Sequence, residues 1–124
     1  MRPIKTREAP AAVGAYSQAT TNGNLLFTSG QIPMTPDGEL LSDASVAEQT
    51  AQVLDNVASI LDTEGLTMGD VLKMTVYLGD IENFDEMNEQ YSEYFEDAPP
   101  ARSAVEVANL PRGVDIEIEA IATF

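Results

Sequence analysis

From Val114 to Thr123 the chain alternates strictly. Val114, Ile116, Ile118 and Ala120 fall on one side, and Asp115, Glu117, Glu119 and Ile121 on the other. A period of two belongs to an extended strand, whose successive side chains point to opposite faces. One face of that strand wants an apolar cover and the other does not, so the rest of the chain has to build a sheet around it and supply the cover.

Other segments fit that demand. Tyr16–Thr21 and Asn24–Ser29 flank Asn22-Gly23, a pair suited to the two positive φ values of a type I′ turn, and read as a hairpin. Val71–Leu78 reads as a strand with Leu72, Met74, Val76 and Leu78 on one face and Lys73, Thr75 and Tyr77 on the other; Ala101–Ala108 reads as a further strand. Ser45-Val46-Ala47-Glu48 has the form of a capping box, and Val46, Thr50, Val53, Leu54, Val57 and Leu61 follow at helical spacing before a stop at Gly65. A second helix is predicted over Ile81–Phe95, with Phe84, Met87, Tyr91 and Phe95 as its apolar stripe.

The order β-β-α-β-α-β-β predicts one α+β domain over residues 1–124, a mostly antiparallel sheet with two amphipathic helices on one face. The opposite face, assigned Thr75, Tyr77, Ala104 and Ile121, has enough small and apolar content to predict burial against other subunits.

Composition limits the chemistry. The 124 residues include 21 acids against 6 bases, a net charge of −15, with no His and no Cys. Disulfides, thiolate nucleophiles, Ser-His-Asp relays and nitrogen or sulfur metal sites are therefore outside its means. The six cations, Arg2, Lys5, Arg7, Lys73, Arg102 and Arg112, are too few and too scattered for a nucleic-acid stripe. With no apolar run long enough for a membrane span and no signal-peptide core, the expectation is a soluble cytoplasmic protein that meets neither nucleic acid nor membrane. The acids are spread along the chain as a solvated surface of the kind suited to a salt-rich cytoplasm, where self-repulsion is screened.

Arg102 is the cation that stands out, because it lies inside a strand. Two readings follow: an ion pair with Glu117 or Glu119 on a neighbouring strand, or a guanidinium presented for a two-pronged grip on a substrate carboxylate. Glu117 and Glu119 share one strand face and form either an exposed acidic edge or a carboxyl beside a cleft. Tyr16, Ser29 and Asn88 carry weak signals by themselves. No phosphate-binding or dinucleotide fingerprint occurs.

Ala9-Pro10-Ala11-Ala12-Val13-Gly14-Ala15-Tyr16-Ser17-Gln18, Phe27-Thr28-Ser29-Gly30-Gln31-Ile32-Pro33, Pro100-Ala101-Arg102-Ser103-Ala104-Val105-Glu106-Val107 and Ile116-Glu117-Ile118-Glu119-Ala120-Ile121-Ala122 closely resemble the RidA/YjgF family of reactive-intermediate deaminases. The likeness is collinear over nearly the whole chain and takes in Asp55-Asn56 and Asn88. It implies a chorismate-mutase-like fold, a homotrimer whose sheets face a central barrel, and small-molecule clefts between subunits. The activity it implies is cofactor-free hydrolysis of 2-imino acids to 2-oxo acids and ammonia. Arg102 then matches the carboxylate-binding Arg and Glu117 the acid that orients water or moves a proton. Tyr16, Ser29, Gly30, Asn88 and Ala104 match the cleft lining. Many relatives carry Cys where this chain has Ala104. A binding or regulatory trimer without catalysis is the alternative that the resemblance leaves open.

Overall fold

A computed structural model describes all residues, 1–124. Eight elements follow one another: β1 (Arg2–Ile4), β2 (Ala19–Thr21), β3 (Leu25–Thr28), α1 (Val46–Asp62), β4 (Val71–Leu78), α2 (Phe84–Ser92), β5 (Ala101–Glu106) and β6 (Ile116–Thr123). The strands make a single sheet in the order β1-β2-β3-β6-β4-β5. Every pairing is antiparallel except β4 with β5, which run parallel with Met74 beside Arg102 and Val76 beside Ala104. A parallel neighbour needs a crossover, and α2 supplies it. The sheet is therefore mixed, with the α+β content expected.

The alternating strand sits where its pattern demands. In β6, Ile116, Ile118, Ala120 and Ala122 are buried, and they meet Leu26 of β3, Met74, Val76 and Leu78 of β4, and the Val53, Leu54, Val57 and Leu61 stripe of α1 in one core. Ser45 caps α1 by accepting from the Glu48 amide at 3.1 Å. The Glu48 carboxylate returns no bond, so only half of the predicted box forms; Glu86 of α2 instead accepts from the Ala47 amide at 2.9 Å and ties the two helices together. At the other end Gly65 takes φ 74°, Leu66 N–H reaches Leu61 O and Gly65 N–H reaches Asp62 O, closing the last turn as a Schellman motif.

Several local expectations are corrected. The N-terminal strand β1 was not foreseen. In the hairpin Thr21 pairs with Leu26, which centres the turn on Gly23-Asn24, and Gly23 alone has positive φ; this is the Gly-first arrangement of a type II′ turn, not type I′ at Asn22-Gly23. Leu72 does not share a face with Met74: a register irregularity between Val71 and Lys73 turns Val71 inward and leaves Leu72 49% exposed. The second helix is shorter than Ile81–Phe95. A 3-10 turn over Ile81–Asn83, capped by Asp80, precedes α2, and beyond Ser92 the chain tightens into three-residue bonds that bring Phe95 onto Tyr91, with ring centroids 4.8 Å apart. Ala104 lies on the helix side of the sheet with Val76, not on the open face.

Candidate functional site

β5 is an edge strand, and Arg102 projects from it toward α2. That helix turns Phe84, Asn88 and Tyr91, spaced i, i+4 and i+7, onto the guanidinium. Arg102 Nη1 donates to Asn88 Oδ1 at 2.7 Å. Arg102 Cζ lies 5.3 Å from the Phe84 ring centroid and 4.8 Å from that of Tyr91. Rings and amide hold the planar group, and no carboxylate neutralises it; the chain's ion pair is Arg2 with Glu64, at the far edge of the sheet. Four of the five guanidinium N–H groups keep no protein partner. Beside them lies a cavity of about 500 Å³ whose walls include Asn88, Tyr91, Phe95, Pro100 and Arg102. The Tyr91 hydroxyl is buried and satisfies no hydrogen bond; burial pushes it up to about 12, with the nearby Arg102 charge pulling part of the way back. An ion pair of Arg102 with Glu117 or Glu119 is ruled out by the register, since both acids point from the opposite face.

A second group gathers there. Gln31 N–H donates to Ile118 O at 2.8 Å and Ile118 N–H returns to Gln31 O at 3.1 Å, which pins the end of the hairpin against β6 and sets Gly30 against Glu117. A methyl group on Gly30 would stand 2.2 Å from Glu117 Oε2. Glu117 is half-buried, and its carboxyl is raised above the ordinary range, by loss of solvent first and by the Glu119 charge second. Tyr77, directly opposite Glu117 on β4, donates its hydroxyl to Glu119 at 2.5 Å. A cavity of about 340 Å³ adjoins Tyr77, Val107, Leu110, Pro111, Glu117 and Glu119. Tyr16, 53% exposed, shares a neighbouring cavity of about 380 Å³ with Gly30, Pro111 and Arg112. The Ser29 hydroxyl donates to Ser17 O at 2.6 Å.

The predicted residues thus fall into two clusters. Arg102 and Asn88 touch on the helix side, with Ala104 on the same face; Glu117 and Gly30 touch on the other side, with Tyr16 and Ser29 adjoining through the hairpin. β4 runs between β5 and β6, so within one chain the clusters do not meet. Phe84 and Tyr91 as clamps on Arg102, and Tyr77 as the donor to Glu119, were missed. The helix signal was present, because Phe84, Asn88 and Tyr91 share a face; an apolar stripe read only as core hides an aromatic bed for a cation.

A family model described as Endoribonuclease L-PSP matches residues 6–124. A protein of Escherichia coli K12 named 2-iminobutanoate/2-iminopropanoate deaminase is 48% identical over 125 residues, covering 98% of this chain and 96% of that one. A RutC family protein of Pyrococcus horikoshii is 50% identical over 119 residues, 96% of this chain and 94% of that one. Among solved structures, E. coli TdcF with bound serine superposes with a TM-score of 0.95 at 43% identity, covering 100% of this chain and 99% of that one.

Proposed function

The chain belongs to the RidA/YjgF family, whose model spans residues 6–124, and from that membership we propose that it hydrolyses 2-imino acids, the enamine/imine products of dehydratases, to 2-oxo acids and ammonia. One observation carries the reading: a guanidinium held by two rings and one amide, beside a cavity, with no carboxylate of its own. Such a group is prepared for a carboxylate from outside, and a bidentate grip on it fixes the adjacent imine carbon. The serine seen in TdcF is a carboxylate-bearing molecule of this size.

The two clusters become one site when copies assemble. We propose a homotrimer in which Arg102 of one subunit faces Glu117 of the next across the open sheet edge, with Tyr16 closing over the ligand and Ser29, Gly30, Asn88 and Ala104 lining the cleft. In the reaction Glu117, protonated, gives its proton to the imine nitrogen. It then accepts one from the water that adds to C2; the C–O bond forms and the π pair moves onto nitrogen. It returns that proton to the amino group, the C–N bond breaks with its electron pair leaving on ammonia, and the hydroxyl proton goes back to Glu117 as C=O forms. Atoms balance as imine plus water giving 2-oxo acid plus ammonia, with no cofactor consumed. Ala104 in place of a thiol leaves each step intact, since water is the nucleophile.

Arg102→Ala should lower turnover of 2-iminopropanoate and 2-iminobutanoate by roughly 100-fold or more in a dehydratase-coupled semicarbazide assay while the assembled protein still melts cooperatively. Unchanged turnover would remove the assignment. Separation of the two clusters within one chain favours a second reading, a binding module that holds carboxylates without hydrolysing them. It predicts 2-oxo acid binding that is lost in the same variant, with no imine hydrolysis by the parent protein. RNA cleavage is disfavoured by the net charge of −15, and no helix is long and apolar enough to cross a membrane.

A further inference from the structure

Glu119 lines the same cavity as Glu117, and its placement beside that acid is specific. The two acids lie two residues apart on one face of β6, about 7 Å along the strand. Their surroundings differ. Glu119 accepts the Tyr77 hydroxyl at 2.5 Å, and Tyr77 sits directly opposite Glu117, so this bond draws the Glu119 carboxylate toward its neighbour. Glu117 has no hydrogen-bond donor; it faces the Gly30 main chain on one side and a cavity of about 340 Å³ on the other. The other walls of that cavity, Val107, Asn109, Leu110 and Pro111, bring no cation. Within the chain the other bases turn elsewhere: Lys73, on the same face of β4, donates to Ser103, and Arg112 borders the adjoining cavity with Gly30. In the proposed trimer Arg102 of the partner subunit faces Glu117 and pulls the other way, so the effect of Glu119 is read as a difference between variants that share that Arg.

We propose that Glu119, anchored by Tyr77, is a positioning residue for the catalytic proton: its carboxylate keeps Glu117 as the protonated member of the pair, ready to protonate the substrate nitrogen. Two anions on one half-buried face are costly; Glu119 has a donor in the Tyr77 hydroxyl and Glu117 has none. Burial and the Glu119 charge both hold the Glu117 proton more tightly, in agreement with the geometry. The Tyr77 phenol likewise holds its own proton more tightly through the bond to Glu119, so it remains a donor. The inference rests on Glu117 acting in imine hydrolysis, and it extends that reading to the groups that set when Glu117 can act.

The test is the pH profile of the full-length assembled protein. Because activity needs the protonated acid, the rate falls as pH rises through the Glu117 transition. Glu119→Gln removes the neighbouring charge while keeping shape, so that fall should move to lower pH by on the order of one unit. Tyr77→Phe frees the Glu119 carboxylate toward solvent and should move it the same way by less. A fall that stays in place, or moves to higher pH, overturns the proposal. Carboxyl-carbon magnetic resonance of Glu117 gives the same answer without substrate: its titration should shift down in Glu119→Gln, and an unmoved titration also overturns it. If the parent protein hydrolyses no imine, the reading of the reaction fails, and the resonance titration still decides the pairing of the acids.

Discussion

At Gly30 one hydrogen decides whether Glu117 can keep its place. An added methyl would stand 2.2 Å from Oε2, well inside contact, but the atom it meets is the end of a flexible side chain. The chain should therefore accommodate Gly30→Ala by swinging the carboxyl away without unfolding. The expected outcome is a melting temperature within a few degrees of the parent and imine hydrolysis reduced by at least about tenfold, the scale set by losing a positioned acid. A crystal structure of the variant with Glu117 unmoved would contradict this. Arg102 teaches the complementary lesson. A strand cation was visible in the chain as written, but whether it paired with Glu117 or stayed free depended on which face each side chain took. The parallel register of β4 and β5 puts Arg102 beside Met74, on the helix side, and that settled the matter.

Among the elements, α1 is the best specified locally. Its N-terminal amide is capped by Ser45, its C-terminal carbonyls are closed by Gly65, and its apolar stripe is entirely buried. Ser45→Ala should cost about 1 kcal/mol of stability, measurable by urea unfolding at unchanged m value; no loss would show that the Glu86 bond to Ala47 already satisfies this end of the helix. What the helix pattern concealed is its polar interior. Gln49 is fully buried, donating to Asp115 Oδ2 at 2.8 Å and accepting from the Asp115 amide at 2.9 Å, and so fastens α1 to the approach to β6. Nothing in the spacing of apolar residues marks such a contact, because its partner is 66 residues away. The β4 irregularity was hidden for a similar reason: Leu72 is apolar, and only the pairing with β6 shows that Val71 takes the inward place.

For the whole molecule, 21 acids against 6 bases leave a net charge of −15 on one small domain, and the single ion pair neutralises little of it. Mutual repulsion then opposes folding and assembly until salt screens it, with a screening length falling to about 3 Å at 1 M. The melting temperature should rise from dilute buffer to molar KCl; equal melting in both would show that the acids are spaced widely enough not to matter. The sequence by itself determined the types of seven of the eight elements, both ends of α1, the inward face of β6 and the family, because periodicity, capping and short motifs are written in neighbouring residues. Tertiary structure alone decided the strand order, the parallel β4–β5 register, the aromatic bed under Arg102 and the division of the candidate site between two faces of the sheet. Those depend on contacts between residues far apart in the chain, whose energies no local pattern encodes.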